Sequence, residues 1–391
     1  MSVMLLDIAL VLGLLAALLA GLGRGLLATV GGLVGLVAGG VAAFLLVPLV
    51  NDALPSSAWR GPLVVVAAVL LPLLGASAGA RAGHVLRRGV DRTPLRFLER
   101  LLGGVATLVV TAIALAFVGS AIAATGVPVI APAIASSSVL RTIDRLTPQP
   151  VSRTLAGLRA AVLDEGLPRL GNLLLPGLTP TVPDVDLADP ALDQAARSVA
   201  RISGTAYACG TSSTGSGFVV ADDRVVTNAH VVAGVDRPVV ELPGQGAREG
   251  RVVYFDPADD LAVIAVDGLG AAPLPIVPTL EVGTVAVVQG YPYGGPLTSG
   301  GAQVLAVQTA TVPSVGGGAS EREIYALAAR VRPGNSGGPV LTTDGRAAGV
   351  VFARAESEPD LGFAMTTTEL LPVAAQAAGL VDAVASGACA G

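Results

Sequence analysis

Four apolar runs lie within the first 125 or so residues, near 3–22, 26–50, 62–80 and 101–124. Each is close to or above the roughly 20 residues that cross a bilayer core. A single run of this kind could be a buried core helix, but four in succession argue for an all-α transmembrane domain of four helices over 1–127. A cleaved signal is a poor reading of the first run, because its start is not basic and a second long run follows almost at once.

Arginine orients this domain. Arg81, Arg87, Arg88, Arg92, Arg96 and Arg100 lie between the third and fourth runs, whereas the second connection holds only Arg60 beside Asp52. Basic residues collect on the cytoplasmic side. The third connection is therefore expected inside with Arg24 of the first, and both termini outside, with Trp59 at the outer interface. Residues 1–127 carry 8 Arg against 4 acids, net +4, and residues 128–391 carry 16 against 25, net −9. The whole chain is 52% hydrophobic and 14% charged, against about 45–50% and about 25% for soluble domains. The apolar excess thus belongs to the N-terminal part. All 24 basic residues are Arg and the net charge is −5, which leaves no dense basic face for nucleic acid.

In the second run Gly31, Gly35 and Gly39 recur every four residues, with Gly32 and Gly40 beside them. Such a stripe lets helix backbones approach closely in lipid. No acid, Lys or His lies mid-helix, as a transport path would need.

From 128 to 199 the chain is Pro-rich and reads as an extracytoplasmic linker with two short helices. One is expected over Val151–Asp164, and the other begins with Asp189 as N-cap and Pro190 at the first helical position. From about residue 200 to 391 short Val-rich runs alternate with Gly, Pro and Asp turns, the signature of an all-β domain large enough for a double β-barrel. Strands are expected at 217–221, 224–227, 252–255, 261–266, 284–289, 303–312, 324–330 and 347–353.

Three segments of this domain carry chemistry: Thr227-Asn228-Ala229-His230-Val231-Val232, Asp256-Pro257-Ala258-Asp259-Asp260-Leu261-Ala262-Val263 and Pro333-Gly334-Asn335-Ser336-Gly337-Gly338-Pro339. Acyl transfer needs a nucleophile, a base to take its proton and a group to orient the base. Ser336 is the nucleophile candidate, on a glycine-flanked turn. His230 is the base candidate, since the only other histidine, His84, lies in the basic membrane loop. Of two adjacent carboxylates only one can face His230. Asp260, directly before the apolar run Leu261–Ile264, is preferred, with Asp259 as the fallback. The backbone N–H groups of Gly334 and Ser336 would form an oxyanion hole. With two Cys, Cys209 and Cys389, and only one His outside the basic membrane loop, no four-ligand Cys/His metal site is expected, and no cofactor.

These motifs resemble those of chymotrypsin-fold serine proteases, in wording closest to the HtrA-like branch. The Gly-rich helical N-terminus is similar to the CvpA family. Together they resemble the MarP-like membrane-bound periplasmic serine proteases of mycobacteria and related actinobacteria. The resemblance implies a protease domain outside the inner membrane acting on envelope proteins, a role in envelope homeostasis and in acid or oxidative stress resistance, and a disulfide between Cys209 and Cys389. The exposed linker is a natural target for self-cleavage between about Ser152 and Ala200. Val331, Val351 and Phe352 are expected at the P1 pocket, which then has no carboxylate and favours apolar, uncharged side chains. The competing functions are a catalytically silent protease-like binding module and a transport or secretion helper residing in the membrane helices.

Overall fold

The computed structural model describes residues 3–53, 60–90, 92–124, 133–134, 136–148, 150–151, 154, 168–170, 180–206, 211–356 and 358–387. Contacts divide the chain into a helical unit, Asp7–Leu115, and a unit made of Met1–Leu6 and Ala116–Gly391.

Four long helices occupy the N-terminal region: α1 Val3–Arg24, α2 Leu26–Ala53, α3 Arg60–Val90 and α4 Arg96–Ala124. Among the described residues, three stretches are long and apolar enough to cross a membrane: Val3–Arg24, Leu26–Val47 and Arg96–Ile122. The run at 62–80 lies within α3. The glycine stripe of α2 meets a second one on α3. A Cβ on Gly35 would lie 2.0 Å from Gly75 O, and one on Gly79 would lie 2.0 Å from Gly31 O. At the α1–α2 break Gly25 turns the backbone at φ +80. Buried Arg87 donates there to the carbonyls of Gly23 and Arg24, and Glu99 accepts from Leu27 N–H at 3.2 Å. The end of one helix and the start of the next are thereby satisfied from α3 and α4.

Beyond α4, the helix α5 spans Ser138–Leu146 with Ser137 as N-cap. The helix expected over 151–164 lies almost wholly outside the described residues. The second expected helix forms as α6, Pro190–Ala196, and Asp189 caps it by accepting from Ala191 N–H at 2.8 Å. Buried Leu192 and Ala195 of α6 belong to the core of the β-rich region, and Gln289 donates to Leu192 O. That packing therefore starts before residue 200.

The strands are β1 Arg169–Leu170, β2 Val199–Ala206, β3 Thr211–Ala221, β4 Arg224–Thr227, β5 Val239–Glu241, β6 Arg248–Glu249, β7 Arg251–Asp256, β8 Leu261–Ala265, β9 Val285–Gly290, β10 Thr298–Pro313, β11 Ala319–Ala329, β12 Pro339–Leu341, β13 Ala347–Ala355 and β14 Leu361–Thr366. They form two seven-stranded sheets. One runs β6-β5-β2-β3-β4-β8-β7; the other runs β1-β13-β12-β9-β10-β11-β14 and closes on itself through β13–β14. Every expected strand is present, several of them longer. Strands β1, β2, β5, β6, β12 and β14 were not expected. β2 and β14 lack the Val-rich alternation because small or apolar residues are buried on both faces. A short helix α7, Ala229–Val232, follows β4, and α8, Thr367–Ala377, follows β14.

Candidate active site

His230 and Asp260 come from the first sheet and Ser336 from the second. β4 ends at Thr227 and Asn228 starts α7, whose Ala229, Val231 and Val232 are buried. Those apolar neighbours fix the rotation of the helix, and His230 faces the start of β8. There its backbone N–H donates to Asp260 Oδ1 at 2.9 Å, and its ring Nδ1 lies 3.0 Å from Oδ1 and 2.8 Å from Oδ2. Asp260 is 3% exposed and adopts φ +53, a left-handed conformation that Asp tolerates better than most side chains. Its carbonyl accepts from Asn228 Nδ2 at 3.0 Å and from Ala229 N–H at 3.1 Å. Both ends of Asp260 are thus tied to the segment that carries His230.

Of the two carboxylates left open by the sequence, Asp260 is the one that faces His230. Asp256 caps the preceding turn by accepting from the N–H groups of Ala258 and Asp259. Burial first, and then the nearby carboxylates of Asp256 and Glu369, raise the Asp259 carboxyl above its usual range, against an opposing pull from Arg322. Arg322 is itself buried, with its guanidinium 5.6 Å from the centre of the Phe352 ring. It donates to Ser320 Oγ and Pro313 O, and Ser320 in turn donates to Ala258 O, so the β10–β11 hairpin braces the loop that ends in Asp260.

Ser336 is 3% exposed and lies between β11 and β12. Its neighbour Gly337 packs so tightly that a Cβ would lie 2.4 Å from Thr227 Oγ1 and 3.1 Å from Asn228 N. The nucleophile loop therefore abuts the segment carrying His230. Among the described residues the Ser336 hydroxyl makes no hydrogen bond, and His230 Nε2 is buried without a partner. Contacts of this kind are often long before substrate arrives and tighten in the complex.

Three carbonyls of the loop are engaged by neighbouring N–H groups. Pro333 O accepts from Tyr293 N–H at 2.6 Å, Asn335 O from Gly338 N–H at 2.9 Å and Ser336 O from Ser216 N–H at 2.7 Å. Gly334 adopts φ +90, and a Cβ there would lie 2.3 Å from Tyr291 O, so only glycine fits. Among the described residues neither Gly334 N–H nor Ser336 N–H has an acceptor. Two unspent backbone donors beside a serine are what a developing oxyanion requires.

Val331 and Val351 are buried together in one core cluster, and Phe352 is buried in another. A cavity of about 340 Å³ adjoins the nucleophile loop; Pro292, Tyr293, Thr298, Ala329, Arg332 and Asn335 are among its lining residues. Cys209 and Cys389 lie outside the described residues. Among the described residues no group of three or more His, Cys, Asp or Glu could hold a metal ion.

Two family models match the sequence: a trypsin-like peptidase domain over residues 215–350 and Colicin V production protein over residues 6–148. The serine protease Rv3671c of Mycobacterium tuberculosis is 33% identical over 319 residues, covering 78% of this chain and 79% of the relative. The putative serine protease HhoA of Synechocystis is 33% identical over 159 residues, 39% of each chain. Among solved structures, the active form of the Rv3671c protease from M. tuberculosis matches with a TM-score of 0.52 and 34% identity, covering 55% of this chain and 97% of that one.

Proposed function

The chain belongs to the MarP-like serine proteases, with a Colicin V production domain ahead of a chymotrypsin-like peptidase domain, and on that premise we propose a membrane-anchored endopeptidase that works through Ser336, His230 and Asp260. Ser336 Oγ attacks the scissile carbonyl carbon while His230 Nε2 takes its proton. The oxygen that gains charge is received by the N–H groups of Gly334 and Ser336. His230 then protonates the leaving amine, and water repeats the sequence on the acyl-enzyme. Asp260 accepts from Nδ1–H, which keeps Nε2 as the basic nitrogen of the ring.

One observation carries this reading: among the described residues the Gly334 and Ser336 N–H donors have no acceptor, while the carbonyls of Pro333, Gly334, Asn335 and Ser336 are all engaged elsewhere. The test is fluorophosphonate labelling of the full chain in detergent. Wild type is expected to label on Ser336, and the Ser336→Ala variant is not. No labelling of oxidised wild type at neutral pH overturns the proposal.

The wider reading places four spans in the membrane, with the Arg-rich loop inside and both termini and the protease outside. The two sheets are read as the two barrels of the protease, and its substrates as envelope proteins in acid and oxidative stress. A Cys209–Cys389 disulfide would then form in an oxidising compartment. An apolar, uncharged P1 preference is read from the sequence alone: Val331, Val351 and Phe352 are buried in the core, and none of them lines the cavity beside the nucleophile loop. Self-cleavage between about Ser152 and Ala200 is read from the Pro-rich segment. Identical intact masses of wild type and Ser336→Ala after long incubation would defeat it.

A further inference from the structure

Ser216 is fully buried on β3, far in sequence from every motif residue of the nucleophile loop. Its backbone N–H donates to Ser336 O at 2.7 Å, and its carbonyl accepts from Thr227 Oγ1 at 2.7 Å. Any residue could make those two bonds. The hydroxyl makes two more that depend on the side chain: it donates to Gly334 O at 2.7 Å and accepts from Tyr291 N–H at 2.9 Å. Both directions are forced, because a carbonyl only accepts and an amide N–H only donates.

The peptide that Ser216 Oγ holds is the one between Gly334 and Asn335, which lies between the two free N–H groups. Gly334 has no side chain to hold its backbone in place, and glycine crosses φ/ψ space at little cost. The peptide before it is held by Tyr293 N–H through Pro333 O. The peptide after it depends on the Ser216 hydroxyl and on the Asn335 N–H bond to Arg332 O at 2.9 Å. Space for the hydroxyl is kept by Gly290, where a Cβ would lie 2.8 Å from Ser216 Oγ.

We propose that Ser216 is a positioning residue for the oxyanion-binding pair, its hydroxyl fixing the Gly334–Asn335 peptide so that the N–H groups of Gly334 and Ser336 converge. Removing the hydroxyl leaves a buried carbonyl and a buried N–H without partners. The Gly334–Asn335 peptide can then rotate. Ground-state binding of a peptide is little affected, because the pair receives charge that develops only in the transition state.

This inference rests on the serine-nucleophile reading, and the experiment separates the two. Full-length wild type, Ser216→Ala, Ser216→Cys, Ser216→Thr and Ser336→Ala are purified in detergent. Each is assayed for kcat and KM on a peptide substrate, and for Ki of a peptide boronate with an apolar P1 residue. The boronate adds Ser336 Oγ to boron, passes the hydroxyl proton to His230, and puts a boron-bound oxygen at the N–H pair. Ser216→Ala is expected to lower kcat by about 10- to 100-fold, below the roughly 10²–10³-fold cost of deleting a hole donor outright. KM should stay within about twofold, and boronate Ki should weaken by the same factor as kcat. Ser216→Thr, which keeps the hydroxyl, is expected to recover most of both.

Unchanged kcat in folded Ser216→Ala overturns the inference, as does a kcat loss with unchanged boronate Ki. If Ser216→Ala does not fold, the near-isosteric Ser216→Cys decides: a partial loss shared by kcat and Ki supports the role, and wild-type values overturn it. Inactive wild type that fluorophosphonate does not label is instead a failure of the nucleophile reading.

Discussion

His230 is bound to Asp260 at two points, its backbone N–H at 2.9 Å from Oδ1 and its ring Nδ1 at 2.8 Å from Oδ2. One carboxylate therefore sets both the position of α7 and the tautomer of the ring. In an amide the Oδ2 position that lies 2.8 Å from Nδ1 becomes an NH2 donor, which favours the ring tautomer with its proton on Nε2, the wrong one for a base. Asp260→Asn is expected to fold and to lower kcat by about 10⁴, the scale seen when a triad carboxylate becomes an amide. Steady-state kinetics normalised to total protein check this, and a loss below tenfold would remove Asp260 from the mechanism.

Asp259 gives the opposite expectation. Burial, then Asp256 and Glu369, raise its carboxyl above the unfolded value, so the folded protein binds this proton more readily than the unfolded chain does. The group therefore opposes folding at pH above its raised value, and the opposition fades as pH falls through that value towards the ordinary Asp range. Asp259→Asn is expected to keep wild-type kcat and to raise Tm at pH 7 by roughly 1–2 °C. The gain should shrink as pH is lowered into the carboxylate range. A gain that grows on acidification would contradict the sign.

The chemistry was legible because its residues are scarce or sit at marked places. His230 is the sole histidine outside the membrane half, Asp260 directly precedes an apolar run, and Ser336 lies among glycines. Ser216 was not legible. It lies in the strand residues Thr214-Gly215-Ser216-Gly217, and its Gly334 partner is 118 positions away. The same limit applies in the helical unit, where the α2 stripe reads from one helix but the Gly75, Gly79 and Gly83 face that receives it depends on how α3 packs. α5 also went unexpected: its apolar face of Val139, Leu140, Ile143 and Leu146 lies in a segment read mainly for its prolines.

Leu192 tests where the protease fold starts. It is 1% exposed on α6 and lies in the core cluster that also contains Phe218, Val287 and Leu341. Truncating a buried Leu typically costs about 2–5 kcal/mol. Leu192→Ala is expected to lower the denaturant midpoint of the protease accordingly, as followed by loss of Ser336 labelling. An unchanged midpoint would make α6 an ornament of the linker and not a part of the core.

Cys209 and Cys389 enclose almost the whole peptidase domain. A bridge closing a loop of about 180 residues would stabilise the fold by about 5 kcal/mol in the chain-entropy picture, before any strain. Peptide mapping of unreduced protein is expected to find the two linked, and reduction to lower Tm. Two free thiols in freshly isolated protein would end the disulfide proposal.

The two glycine faces make the sharpest prediction for the membrane part. In lipid, helices associate through close packing and not through water exclusion, so α2 and α3 hold together only while their backbones can approach. A Cβ on Gly35 would lie 2.0 Å from Gly75 O, whereas Gly40, on the same helix, has nothing within 4 Å of its Cβ position. Gly35→Val must therefore drive the helices apart by more than about 1 Å, while Gly40→Val points a side chain into open space. Both substitutions carry the same intrinsic helix cost, so their difference isolates the packing. Thermal aggregation of the full chain in detergent is expected to begin at a lower temperature for Gly35→Val than for wild type, with Gly40→Val close to wild type. Equal behaviour of the two variants would mean that the α2–α3 seam does not hold the bundle together.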